Sequence, residues 1–277
     1  MSVALLESEN PYVALLQKEL ERNAGGLPVL PAIAKRALEL ARTTEMDFAE
    51  VASVAELDPP LAARLLAMAN SALYFRGTRV SSLHAALIRL GTEGVRDILY
   101  MAVYSGAAFN VPEFRTHVEE VFRHSVVVAR GARMVAPYLD QDPELAFVAG
   151  LLHDMGEARC LKIASKRLKR AQFNDPALFR AIEILHPSAG AELAAAWRLP
   201  KEVVEACAFH HAPGERLMAC IVAAANASAK YLTGKLAEDE AQTLFEDVGL
   251  RNEQFCEIVE RMREDLGKLH SFGPLSS

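Results

Sequence analysis

The stretch FVAGLLHDMGEARC sets a histidine beside an aspartate, His153 and Asp154, where an apolar run meets Gly156. An imidazole nitrogen and a carboxylate oxygen together suit a zinc, iron, manganese or nickel ion. Further histidines stand at His117, His124, His186, His210 and His211. A single histidine on an apolar helix is ordinarily a core residue satisfied by a hydrogen bond, so each one alone carries little weight. Their company changes the reading, because ligands in a helical bundle come from facing helices and positions distant in the chain converge. Three explanations stay open at this point. The pair can belong to a metal site that does chemistry, to an inherited polar cluster that fixes helix packing without metal, or to an accident of composition.

Such a site needs helices to hold it, and almost every segment carries helical period. PAIAKRALELA puts Ile33, Ala37, Leu38 and Ala41 on one face, and DFAEVASVAEL repeats this with Phe48, Val51, Val54 and Ala55. In LDPPLAARLLAMAN, Asp58 is the expected N-cap, with Pro59 and Pro60 in the first turn, where no amide donor is needed. Asn70 and Ser71 are expected to end that helix by bonding backbone groups. SSLHAALIRLG then has Ser81 or Ser82 as cap and Gly91 as stop. AAFNVPEFR breaks the pattern and marks a boundary. Beyond it the sequence predicts a long helix over 113–136 and another from Pro143 to Asp154. Three more are opened by Pro176, Pro187 and Pro200, and the apolar RLMACIVAAANASAKYL follows. The spacing of alanines implies close helix packing, and Trp197 is expected to anchor one helix on its neighbour. Alternating β patterns of useful length are absent, so the fold class is all-α. The expected organisation is an accessory helix over 1–25, an N-terminal helical subdomain over 26–112, a second helical subdomain over 113–235 on which the first packs, and an acidic helix and tail over 236–277.

The 277 residues carry a formal charge of −6, which argues against nucleic acid as a partner. One basic run, ARCLKIASKRLKRAQ, brings Arg159, Lys162, Lys166, Arg167, Lys169 and Arg170 without an intervening acid. It reads as a solvated helix face or as a phosphate- or partner-facing patch close to the His-Asp pair. Residues 236–265 are acid-rich and read as one exposed amphipathic helix. Cys160, Cys207, Cys220 and Cys256 show no paired spacing and are expected as buried free thiols in a reducing compartment. The start MSVALLESENPY lacks the apolar region of a signal peptide, and no run approaches the roughly 18 apolar residues of a membrane span. The expected location is the cytoplasm.

Several motifs together resemble a known family. LPVLPAIAKRALEL, Asp58-Pro59, LLAMANSA, ALIRLG, HPSAG, the Trp197-to-Pro200 stretch and the paired His210-His211 resemble the HDOD family, a bacterial relative of HD domains found in signalling proteins. The ordered series of His, His-Asp, His and His-His is similar to the HD superfamily of metal-dependent phosphohydrolases. The resemblance implies an HD-type helical domain in which His124, His153 and Asp154 are the core ligands, with His186, His210 and His211 able to hold a second ion. It also exposes departures. The final aspartate ligand of active members aligns with Asn226, whose carbonyl brings no negative charge to a dication. The HD-GYP phosphodiesterases carry a lysine where this chain has Glu157, which would repel a phosphate. Their Gly-Tyr-Pro motif is replaced by APGERLM. The implied role is a non-catalytic regulatory module acting through signalling proteins or a small ligand. The alternative is a metal-dependent phosphohydrolase acting on a nucleotide or cyclic dinucleotide, with Lys162, Lys166, Arg167, Lys169 and Arg170 clamping the phosphate. A third reading is a sensor that binds a cyclic dinucleotide without cleaving it.

Overall fold

A computed structural model describes residues 10–22, 35–36, 39–40, 45–71, 74–102 and 111–269. Its regular elements are helices, and no strand occurs among the described residues. In chain order they are α1 (Pro11–Arg22), α2 (Phe48–Glu56), α3 (Pro59–Ala69), α4 (Leu83–Ala102), α5 (Arg115–Val135), α6 (Pro143–Leu152), α7 (Met155–Arg167), α8 (Pro176–Ala196), α9 (Lys201–Phe209), α10 (Leu217–Leu232), α11 (Glu238–Asp247) and α12 (Asn252–Leu269). The chain divides into two compact units, one drawn from 1–29 and 107–259, the other from 30–106 and 260–277. No described helix is long and apolar enough to cross a membrane.

The smaller unit shows why its sequence signals work. Asp47 and Asp58 cap α2 and α3 by accepting from Ala49 N and Leu61 N. Val51, Ala55, Leu65, Leu87 and Leu99 are fully buried and form the apolar interior. Asn70 both closes α3 on Leu66 O and exchanges hydrogen bonds of 2.8 and 2.9 Å with the backbone of Val80, fastening the connection to α4. Ser71 bonds through its backbone, donating to Met68 O and accepting from Tyr74 N and Phe75 N, while its buried hydroxyl finds no partner. Ser82 is the side-chain cap of α4. Gly91 does not stop this helix but bends it, at φ 66° and ψ 178°, a conformation open essentially to glycine alone. Most of the predicted PAIAKRALELA helix, including Ile33, Ala37, Leu38 and Ala41, lies outside the described residues.

The larger unit is built around α6, whose residues Ala146 to Leu152 are all buried. A helix apolar on every side must be surrounded, and α5, α9 and α10 pack on it. Gly150 brings α6 against α5 so closely that a Cβ there would lie 2.8 Å from Ala129 Cα. Helix α1 joins this unit. Tyr12, Leu16 and Leu20 enter the core with Leu161, Ile182 and Leu185, and the nearly buried Glu19 takes two hydrogen bonds, 2.6 and 2.9 Å, from Arg167.

Three details depart from the sequence pattern. Pro176 and Pro187 do not open separate helices: α8 runs through Pro187, because packing on α7 and α9 outweighs the single lost amide bond. The acid-rich segment is two helices, not one, since Gly249 turns the chain at φ 81° between α11 and α12. Cys160, Cys207 and Cys220 are buried, whereas Cys256 faces solvent on the polar side of α12.

The junction of α1 with α8 yields a pH-dependent prediction. Asp175 accepts from Tyr12 Oη at 2.7 Å and caps α8 at Ala177 N, and these bonds hold its carboxyl below the usual carboxylate range. A depressed carboxylate pKa contributes stability that is fully present above the unfolded value and lost as pH falls through the folded one. Urea unfolding should therefore show Asp175→Ala less stable than the wild type at neutral pH, with the gap closing in acid. An unchanged gap would mean that the carboxylate charge is not what binds α1.

Candidate metal centre

The larger unit gathers the predicted histidines at one place. His124 comes from α5, His153 closes α6, and Asp154 opens α7 directly behind it. His186 precedes Pro187 within α8, while His210 and His211 follow α9. Gly156 makes the convergence possible. A Cβ there would lie 2.6 Å from Gly190 N and 2.8 Å from the carbonyl carbon of His186, so only glycine lets α7 and α8 meet at this depth.

Asp154 is the hub. Its Oδ1 lies 3.3 Å from Nε2 of both His186 and His210. Its Oδ2 lies 3.0 Å from His153 Nε2 and 3.9 Å from His124 Nε2. Nε2 of His186 is also 3.2 Å from Nε2 of His210 and of His211. His153, His186 and His210 are buried, Asp154 nearly so, and His211 is exposed.

Hydrogen bonding fixes which nitrogen each ring offers. Nδ1 of His153 faces Gly150 O at 2.8 Å, that of His186 faces Ile182 O at 3.1 Å, and that of His210 faces Cys207 O at 3.0 Å. A carbonyl can only accept, so each Nδ1 carries a proton and each ring turns its Nε2 to the centre, where that atom ligates a cation once it is unprotonated. Metal-ligating histidines are commonly oriented by such a bond on the far nitrogen. Three Nε2 atoms thus converge on one carboxylate, and that of His153 is buried with no well-aligned hydrogen bond. Lone pairs against an anion call for positive charge between them, whether protons or a cation. The surrounding histidines hold the Asp154 carboxyl well below the usual range against the upward pull of burial. Burial, with the neighbouring His153, pushes His124 down to about 4, so that ring is neutral at pH 7.

The donor set fits a divalent ion. Tetrahedral ligands about 2.1 Å from a cation stand roughly 3.4 Å apart. The spacings of 3.2 and 3.3 Å among Asp154, His186, His210 and His211 match that edge. His124, His153 and Asp154 form a second group of donors, and Asp154, Glu157 and His186 a third, each within 4.8 Å. Buried Cys207, its thiol pushed up to about 12 by burial, stays protonated and out of the ligand set.

Two further contacts shape the centre. Asn226 Oδ1 lies 2.9 Å from His124 Nε2, and Glu157 Oε2 lies 3.0 Å from His117 Nε2. The role of His117 was detectable in principle, since it sits two helical turns before His124 on one face of α5. Lys230, one turn after Asn226 on α10, lies near enough that its charge helps to depress His124. It had no signal of its own in the sequence.

The basic run is not gathered here. Lys166 stands 12 residues after Asp154, roughly 18 Å along a helix. Lys162 is half-buried, and Lys166, Lys169 and Arg170 are exposed beyond it. Arg167 is engaged with Glu19, and Arg159 is buried against Ala189 O and Glu192. The acids missing from the linear run are thus supplied by α1 and α8.

Comparison with known proteins agrees with this architecture. The HDOD domain family matches residues 27–213. Ribonuclease Y of Thermus thermophilus is 38% identical over 111 residues, which is 39% of this chain and 16% of that protein, so this chain matches about a sixth of its relative's length. A provisionally named phosphohydrolase from Shewanella amazonensis superposes with a TM-score of 0.66 at 22% identity, covering 92% of this chain and 96% of that one. A provisionally named signal transduction protein from Marinobacter aquaeolei gives 0.61 at 21% identity, covering 95% and 67%. At these identities the two structures establish a shared fold.

Proposed function

The chain belongs to the HDOD domain family, and we propose that it is a regulatory, signal-transduction module whose His-Asp centre holds a divalent cation without turning over a phosphodiester. The observation that carries this reading is Glu157. Its carboxylate reaches within 4.8 Å of the donor atoms of Asp154 and His186, and His117 holds it in place. A second carboxylate beside the ligands attracts a cation and opposes a phosphate. Asn226 adds to this by occupying His124 with an amide oxygen. Lys166 stands 12 residues beyond Asp154, and Lys169 and Arg170 follow the end of α7 at Arg167, which disfavours a phosphate clamp from this run.

Zinc, iron, manganese or nickel bound at Asp154 and its histidines would polarise a phosphoryl oxygen or acidify a water. Around it, the backbone carbonyls of Gly150, Ile182 and Cys207 fix the ring orientations, and Glu157 sets the local charge. The partner of such a module is a signalling protein or a small regulatory ligand, and the module works by binding.

A second reading has its own support. The converging donors and the likeness to part of ribonuclease Y favour a hydrolase of phosphodiesters, with a nucleotide, cyclic dinucleotide or RNA as substrate. The test is direct. Protein loaded with manganese, iron or zinc should leave bis(p-nitrophenyl) phosphate, cyclic dinucleotides and short RNA uncleaved. Turnover that disappears in Asp154→Ala would overturn the regulatory reading in favour of the hydrolase.

A further inference from the structure

The two oxygens of Asp154 face unlike surroundings. On the Oδ2 side stand His124 and His153, with Asn226 where a carboxylate would complete the set. There His124 Nε2 already meets Asn226 Oδ1 at 2.9 Å. Among the described residues, the donor group on that side, His124, His153 and Asp154, holds one carboxylate. On the Oδ1 side stand His186, His210 and His211, with Nε2 of His186 lying 3.2 Å from that of each of the other two, and Glu157 stands within 4.8 Å of the donor atoms of Asp154 and His186. Two carboxylates there can neutralise a dication. One shared carboxylate cannot do so on both sides at once.

We infer that this chain binds a single first-row divalent cation on the Oδ1 side of Asp154, among His186, His210 and His211, with Glu157 as the second carboxylate that holds it. His117 is then a positioning residue: its ring, 5.1 Å from that of Phe179, braces the Glu157 carboxylate from α5. The charge missing at Asn226 on α10 is replaced by a carboxylate on α7, and the ion shifts to the side where that carboxylate stands. The inference rests on reading the centre as a cation site. It does not depend on whether the protein turns over a substrate.

The experiment uses the full chain, stripped by chelator and titrated with cobalt(II) and zinc(II). Bound metal is counted by elemental analysis, and cobalt coordination is followed by visible absorption. One equivalent is expected. Glu157→Gln keeps the size of the side chain and its bond to His117, and should weaken binding about 10- to 100-fold with a changed cobalt spectrum. Glu157→Asp, which keeps the charge, should restore part of the affinity. His124→Ala should leave affinity unchanged, and Asn226→Asp should add a second equivalent. Two equivalents in the wild type would overturn the inference. So would loss of binding in His124→Ala with none in Glu157→Gln, or a single equivalent in Asn226→Asp. Absence of any cation binding would overturn it while leaving a regulatory role standing. One equivalent accompanied by phosphodiester turnover would uphold it and overturn the regulatory reading.

Discussion

Gly156→Ala should strip this protein of a large share of its folding stability. The added methyl would sit 2.6 Å from Gly190 N and 2.8 Å from the carbonyl carbon of His186, and the obstructing atoms are backbone, which cannot turn aside as a side chain can. Relief requires α8 to move away from α7, opening a contact lined by fully buried Leu161, Ala189 and Cys207. Overpacking by one methyl commonly costs about 1–3 kcal/mol, and more where main chain must shift. A loss above roughly 3 kcal/mol is expected here, a large share of the about 5–15 kcal/mol that hold a domain folded. Gly190→Ala is the internal comparison. Its Cβ would meet Gly156 N at 3.3 Å and Cys207 Cβ at 3.7 Å, so a milder effect is expected. Urea unfolding followed by circular dichroism measures both. Equal stability of Gly156→Ala and wild type would show that the α7–α8 crossing has room that the geometry denies.

Asp154→Asn is expected to abolish metal binding, by 100-fold or more, while the fold survives. Both oxygens of Asp154 face Nε2 atoms, those of His186 and His210 on one side and those of His153 and His124 on the other. An amide offers one weaker acceptor and turns a donor toward the remaining ring. It also removes the anion shared by every grouping of donors that includes this residue. Loss of a contact outside the ligand set costs such sites about 10- to 100-fold in affinity, so removing the central carboxylate should cost at least the upper figure. Calorimetric titration with zinc(II), beside a thermal melt of the stripped protein, separates loss of binding from loss of fold. Retained affinity in a folded Asp154→Asn protein would mean that the ion does not use this carboxylate.

The all-α class was legible because it rests on local signals. Asp47 and Asp58 cap the helices they precede, and the apolar faces of α2 and α3 repeat at helical spacing. His153 and Asp154 were legible as a pair because they are neighbours in sequence at a helix end. Pro187 and Gly91 misled for a common reason. Each is a local stop signal, yet tertiary packing carries α8 through Pro187, and α4 resumes beyond the bend at Gly91. The basic run is paired only in space: the acids that meet Arg167 and Arg159, Glu19 and Glu192, lie 148 and 33 residues away from their partners.

By itself, then, the sequence determined the helical elements, most of their caps, the family and the identity of the candidate ligands, because each of these depends on residue type and near-neighbour spacing. Only the tertiary structure decided how the ligands are divided. That Asp154 turns one oxygen to His186 and His210 and the other to His153 and His124 depends on where α5, α6, α8 and α9 cross. That Glu157 is held beside the centre by a histidine 40 residues earlier depends on the same crossings. Charge acts through distance in space, and the distances are set by glycine-to-backbone contacts such as that of Gly156 with α8, which no linear spacing encodes.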